Sequence, residues 1–378
     1  MNRAPKPPWK ISKSTCSVIK QRKAQMAHPN IINKLSPPKR SAVYDTYWKF
    51  ASERQEIFFR RVRGEPPPWT NDPILLKHKF TNAYRASDRV TQYLIRNVIY
   101  QGDQNPDEVF FRCILFKIFN RESTWELFKA AFGEVRYSTY SFKQYAAILD
   151  RAKVQGDPIF SAAYIMPSGS GEFADPRKHR SYLALLERIM IDSVPLRLTE
   201  ISSMVDAFKL LLAYPMLGNF LAYQFVIDLN YSAAINFSEM EFVVPGPGAI
   251  GGIRKCFTTT GDLSEADIIR FVADAQNEEF TRLGLKFRSL WGRQLQLIDC
   301  QNLFCEVDKY ARVAHPEIKG VSGRTQIKQK FTASSQPIHY WFPPKWKLND
   351  RTQKECKHSF LLASRCDNLE NSGEIQST

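Results

Sequence analysis

Asp299, Asn302, Glu306 and Lys309 recur at i, i+3, i+7 and i+10 of the run from Leu297 to Arg312, a spacing that puts all four on one side of a helix. Two carboxylates with an amide between them can line a polar pocket. A carboxylate such as Asp299 in such a pocket can take a proton from a group within hydrogen-bond reach. The same spacing also describes a charged solvent face with an internal Glu306–Lys309 pair, and spacing alone leaves both open. Asp299, Glu306 and Lys309 are the candidate catalytic set, with Asn302 as pocket lining. Cys300, Phe304, Val307, Ala311 and Ala314 make the apolar stripe that turns the opposite side to a core.

Other chemistries find less support. The seven cysteines include no C-x2-C pair and the six histidines no H-E-x-x-H arrangement, so no metal centre is expected. The loop Pro167-Ser-Gly-Ser-Gly171 invites comparison with a phosphate-binding loop, but Glu172 and Phe173 follow where Lys and Ser/Thr are needed. No G-x4-G-K-[ST] stands elsewhere in the 378 residues. No cofactor is evident, and ATP with Mg²⁺ enters only if the chain serves a kinase reaction.

Two segments could grip phosphate. The turn Pro245-Gly246-Pro247-Gly248 leads into a short basic segment with Ile250, Ile253, Arg254, Lys255 and Phe257. Glycines allow a tight turn, and a helix starting there points free N–H groups outward, which suits an anion. The plainer alternative is an ordinary Gly/Pro turn. Farther back, Thr70-Asn71-Asp72-Pro73 caps what reads as one long helix. Its inner stripe is Phe80, Ala83, Tyr84, Leu94, Ile95 and Val98. Arg85, Arg89, Gln92 and Arg96 form an outer row, either a solvated face or a row of phosphate contacts.

The elements that must position these residues are helical. Aromatic residues at helical spacing begin near Ser41 and run to a cationic last turn at Arg60-Arg61. Val109–Phe119, Thr124–Phe132, Ser141–Lys153, Arg180–Ile191, Glu200–Tyr214, Leu217–Leu229, Ser264–Thr281 and Arg288–Ala314 read as further helices. No run of alternating strands and no repeat is evident, so the ordered part is expected to be all-α. Three regions are expected: a disordered basic tail over 1–40, a helical domain over 41–315 and a poorly ordered tail over 316–378.

The net charge of +15 favours a polyanionic partner, nucleic acid before membrane. Residues 1–40 hold ten Lys/Arg and no acid, so much of that surplus is sequence-blind attraction to phosphate. With no apolar run of membrane length and no signal-type h-region, an intracellular, soluble protein is expected. It would be nuclear in a eukaryote, with organellar import left open.

Trp69-Thr-Asn-Asp-Pro-Ile-Leu, then Lys79-Phe80-Thr-Asn-Ala-Tyr84-Arg-Ala-Ser-Asp88-Arg89, resembles the helical domain named after 5-hydroxymethyluracil DNA kinases, also called alpha-glutamyl/putrescinyl-thymine pyrophosphorylase. Leu217-Gly-Asn-Phe-Leu-Ala, Asp228-Leu, the Gly246-Pro-Gly-Ala turn and Cys305-Glu306-x-Asp308-Lys309-Tyr310 continue the likeness. It covers roughly residues 44–312. Within these motifs Trp69, Asn82 and Tyr310 join Asn302 as base-pocket candidates.

The resemblance implies kinship with helix–hairpin–helix DNA glycosylases, whose Pro-Gly-x-Gly hairpin holds backbone phosphate. Gly246, Gly248, Ile250, Arg254 and Lys255 would then contact DNA, with Arg85, Arg89 and Arg96 beside them. Ile250 lies about where lyase-active glycosylases carry a Schiff-base lysine, so β-elimination is not expected. The implied partner is double-stranded DNA carrying a modified, 5-hydroxymethyl-type pyrimidine that leaves the stack before any enzyme reaches it. Two functions stay open: a base-modifying or glycosylase-like enzyme, and a recognition module serving a partner kinase or other modification enzyme.

Overall fold

The first described helix begins where the basic tail meets aromatic residues, and its cap shows why it starts there. The Ser41 side chain accepts from Val43 N, Asp45 stands in the first turn, and Arg60 and Arg61 stand in the last. In the computed structural model, residues 36–164, 166–320, 322–333 and 339–355 are described. The predicted tail over 1–40 therefore lies almost wholly outside them. Only its end is seen, where β1 (Lys39–Arg40) pairs antiparallel with β2 (Phe257–Thr259).

The helices follow in order: α1 (Ala42–Val62), α2 (Pro73–Lys77), α3 (Arg89–Leu94), α4 (Pro106–Phe119), α5 (Glu122–Phe132), α6 (Phe142–Val154) and α7 (Lys178–Ile191). After them come α8 (Val194–Glu200), α9 (Met204–Leu212), α10 (Asn219–Leu229), α11 (Pro247–Cys256), α12 (Glu265–Arg282) and α13 (Leu297–Ala314). The fold is mostly helical, as the sequence predicts. Among the described residues no helix is long and apolar enough to cross a membrane.

The chain closes on itself. The N-terminal α1 packs against the late helices α11 and α13, while α4 to α10 form a second group of mutually packed helices. Tyr44, Tyr47 and Trp48 on α1 meet Phe257, Phe304 and Phe280 in edge-on and tilted ring contacts. Such pairs add about 0.5–1.5 kcal/mol each beyond their buried area. α13 is the central strut, buried along most of its circumference.

Three expectations fail for physical reasons. The long helix from Asp72 stops at Lys77. Asp72 does cap it, its Oδ1 accepting from Ile74 N and Leu75 N. Beyond Lys77, however, the amides of Thr81, Asn82 and Arg85 donate to carboxylates of Glu306, Asp88 and Asp299. Donors held that way are not available to carbonyls four residues back. Arg288 to Gln296 is likewise loop, and α13 begins only at Leu297. The region after Pro316, expected to be loose, contributes a strap. Lys79 N and Phe331 N cross-bond to Gln329 O and Lys77 O, Trp341 N donates to Gln92 Oε1 at 2.8 Å, and Tyr340, Phe342 and Leu348 are buried.

α11 lies unusually close to α13, and its glycines permit it. A Cβ on Gly252 would stand 2.0 Å from the Phe304 carbonyl oxygen, and one on Gly248 would stand 3.0 Å from the Cys305 sulfur. Neither glycine has a positive φ, so close approach is the reason for both. Gly252→Ala is expected to destabilise the protein by about 1–3 kcal/mol through overpacking. That would lower the thermal midpoint by roughly 2–4 °C per kcal/mol, measurable by calorimetry.

Candidate functional site

The proposed acidic face of α13 does assemble, but its members hold a loop. Asp299 is 4 % exposed. Its Oδ1 accepts from Arg85 N at 2.8 Å and its Oδ2 from Gln296 N at 3.0 Å, the second bond closing a capping box. Glu306 accepts from Thr81 N at 3.0 Å and pairs with Lys309 at 2.8 Å. Lys309 donates to Lys79 O and lies over the Phe80 ring. Tyr310 donates to Asp72 at 2.6 Å. Asn302 is half-buried on the same helix. The structure thus brings Asp299, Glu306, Lys309 and Tyr310 together against residues 72–88, as struts under that loop.

Burial acts on the loop's acids. It pushes the Asp299 carboxyl up to about 7, helped by the nearby Glu239 charge and opposed by the amides of Gln296 and Arg85. Asp88 is also pushed up to about 7, by burial first and by Glu306, against the amide of Asn82. Near neutral pH each is therefore shared between acid and carboxylate forms.

The arginine row is not a row. Arg85 is 1 % exposed, and its guanidinium runs inward to Asp228 on α10 at 2.6 Å. Lys117 from the last turn of α4 meets the other Asp228 oxygen at 2.7 Å. Arg85 also donates to Tyr231 Oη at 3.1 Å. Burial pushes the Asp228 carboxyl up, but the two cations together outweigh it and hold it below its ordinary value. Arg89 remains at the surface, paired with Glu122, and exposed Arg96 donates to His339 O.

The glycine turn is similarly reassigned in part. Gly246 is the N-cap of α11 and lies beneath the Phe220 ring, where a Cβ would come within 2.7 Å. The helix before it ends at Leu229, so a loop and not a helix enters the turn. Pro247 has no N–H, Ile250 donates to Gly246 O, and the Ala249 amide approaches the Cys305 sulfur. Ile250 is half-buried and Arg254 exposed, 3.8 Å from Glu265. Lys255, expected on DNA, is instead 2 % exposed and bonded to Asp308 O at 2.8 Å and Oδ1 at 3.1 Å.

The remaining base-pocket residues are also committed. The Trp69 indole donates to Glu65 O at 2.6 Å with Arg61 over its ring. Asn82 accepts from Arg54 and donates to Ser87 O. The Pro167–Gly171 loop does not fit a nucleotide phosphate: a Cβ on Gly169 would strike Ser181 and Phe173 O, and only a 3-10 turn, Gly171–Phe173, follows it. Among the described residues no three His, Cys, Asp or Glu side chains gather as metal ligands.

With this geometry in place, comparison with known proteins gives the family. The sequence model described as "5-hmdU DNA kinase, helical domain" matches residues 41–320. The chain belongs to that family. It is 28% identical over 302 residues to the 5-hmdU DNA kinase of Bacillus phage SP10, a match covering 74% of this chain and 47% of the phage protein. The chain therefore spans about half the length of that relative. No solved structure matches it.

The 5-hmdU DNA kinase helical domain thus contains, in this chain, a buried polar centre that was largely missed from the sequence. Asp228, Lys117 and Tyr231 form it with Arg85, and buried Gln224 stands one turn before Asp228 on the same helix. The available signal was a charge inside an apolar run, Asp228 as the one charge of α10 and Lys117 within the apolar stretch 113–119 of α4, because such a charge must find a partner. Asp228→Ala would leave two buried cations unopposed and is expected to cost about 3–5 kcal/mol. Lys117→Met keeps the Arg85–Asp228 pair and is expected to cost under about 1.5 kcal/mol, like other replacements of charge by well-packed apolar groups. Urea titration of the two variants measures both.

Proposed function

We propose that the chain works in DNA base modification. It binds double-stranded DNA and presents a 5-hydroxymethyl pyrimidine, turned out of the helix, for transfer chemistry at the hydroxymethyl group. The observation that carries this reading is the family match across residues 41–320, supported by the phage relative's name. Extrusion of a base costs a few kcal/mol, and phosphate contacts must hold the distorted strand. Surface cations such as Arg89, Arg96 and Arg254, with the basic residues before Ser41, are suited to that task.

In this reading the helical domain recognises and positions, and a partner kinase or other modification enzyme supplies the nucleotide site. The reasons are the missing P-loop sequence and the engagement of Asp299, Glu306 and Lys309 with the 72–88 loop. Asp299 is then a positioning residue, fixing the Arg85 backbone from which the guanidinium reaches Asp228. A second reading keeps Asp299 as the reacting carboxylate, in glycosylase-like excision or as a general base. The observation favouring it is the carboxyl pushed up to about 7, which suits a general base at neutral pH.

The test incubates the protein with duplexes containing thymine, 5-hydroxymethyluracil or 5-hydroxymethylcytosine, with and without ATP and Mg²⁺. Base release, phosphate transfer and binding are followed together. The proposal expects tighter binding of a hydroxymethyl duplex than of its thymine counterpart, with no base release. Base release without nucleotide, lost in Asp299→Asn, would select the second reading. Equal binding of all three duplexes without any product would overturn both.

A further inference from the structure

Phe220, Gln224 and Asp228 stand at i, i+4 and i+8 of α10, so they share one side of that helix. Phe220 is half-buried, while Gln224 and Asp228 are 0 % and 0 % exposed. The stripe therefore runs inward from an aromatic ring, past an amide, to a carboxylate. Neither the Oε1 nor the Nε2 of Gln224 has a hydrogen-bond partner, nor does the Nε of Arg85. A buried primary amide left so costs about 1–3 kcal/mol relative to a satisfied one, so the fold retains it at a disadvantage.

The surroundings suit a flat ring with a polar edge. Tyr164 stacks on Phe220 with centroids 5.7 Å apart and planes at 14°. Its backbone adopts φ of 57°, a conformation few non-glycine residues take. Beneath it, Lys117 Nζ lies 3.8 Å from the Tyr164 ring centroid and 2.7 Å from Asp228. Phe220 in turn covers Gly246 at the start of α11. The turn singled out in the sequence and the buried ion cluster are thus joined through two stacked rings.

We propose that this stripe reads an extrahelical 5-substituted pyrimidine of the uracil type, with the Tyr164 ring occupying the place where the base stacks. The proposal rests on the DNA-base reading above and names the residues that would do the reading. A base replaces Tyr164 on Phe220 and keeps the stacking energy. The uracil edge offers the O4 acceptor beside the N3–H donor, and the Gln224 amide supplies the matching donor and acceptor. Lys117 carries donors only, so it favours the O4 carbonyl of uracil over the amino group of cytosine. Asp228 keeps lone pairs beyond its two ion pairs and accepts from a hydroxymethyl group on C5. The cluster has two cations and one anion, which leaves it a net positive site for an oxygen-rich ligand.

Fluorescence anisotropy with labelled duplexes carrying one thymine, 5-hydroxymethyluracil or 5-hydroxymethylcytosine tests it, with thermal melting of each variant alongside. The wild-type protein should bind the hydroxymethyluracil duplex at least tenfold tighter than the hydroxymethylcytosine duplex. Gln224→Leu should bring that ratio to within twofold of unity while raising the melting midpoint, because it removes an unpartnered buried amide. Tyr164→Ala should tighten hydroxymethyluracil binding severalfold by clearing the stacking position. A wild-type protein that prefers hydroxymethyl duplexes to thymine, yet keeps its uracil-over-cytosine ratio in Gln224→Leu, would overturn this site and leave the wider reading standing. Weaker binding by a folded Tyr164→Ala would likewise refute the stacking position. A wild-type protein indifferent to all three duplexes would remove the wider reading and this site with it.

Discussion

The pairing of Arg85 with Asp228 fixes the arrangement around it. An isolated charge at either position would be intolerable in a protein interior, and an ion pair there offsets its desolvation only with good geometry and added hydrogen bonds. The fold meets that requirement from three directions. Lys117 reaches Asp228 from the last turn of α4, where its charge also complements the helix dipole. Tyr231 accepts from the guanidinium. Asp299 holds the Arg85 amide from α13. Two sequence-distant helices and one irregular loop meet at the Asp228 carboxylate, and Asp299 ties that loop to a third helix.

That constraint explains why the loop after α2 is not a helix. The motif from Lys79 to Arg89 carries enough helix-compatible residues to suggest one, and its apolar positions do fall at helical spacing. Its backbone donors nevertheless meet Glu306, Asp88 and Asp299, and Arg54 binds Thr81 O, Phe80 O and Asn82 Oδ1. Tertiary carboxylates overrode local propensity, as they can when a whole helix face is devoted to a loop. The resemblance motifs around Trp69, Asn82 and Tyr310 therefore preserve the geometry of this loop, and Arg85 is the residue the loop delivers.

Much of the fold was legible because its signals are local. Ser41 and Ser264 cap helices where the apolar periodicity begins, and the starts of α1 and α12 follow from them, whereas α4 begins at Pro106 after an Asn105 cap, three residues before the Val109 expected. The site was less legible because its determinants are partnerships across the chain. Arg85 and Arg89 look alike in sequence, yet one is buried against Asp228 and the other is exposed beside Glu122. Lys255 sits in a basic segment after a glycine turn, and only the proximity of Asp308 shows that its charge is already used. The strap at Tyr340–Phe342 escaped notice because aromatic residues in a basic, polar stretch carry no periodicity. Gln224 offered no signal at all, since an amide in an apolar helix becomes informative only when its lack of partners is seen.

Under the proposed DNA-base role, a domain built this way would separate grip from reading. Exposed cations such as Arg89, Arg96 and Arg254 lie at the surface, while the residues proposed to discriminate one base from another lie behind Phe220 and Tyr164. The most direct measurement is photocrosslinking from a duplex with 5-iodouracil at the position of the modified base, followed by mass spectrometry of the adducts. Adducts on Phe220 or Tyr164 are predicted, because the halogenated base would stack there. Adducts confined to the surface around Arg254 and Arg89 would contradict the account, placing the base outside the protein and leaving the buried cluster with a structural role alone.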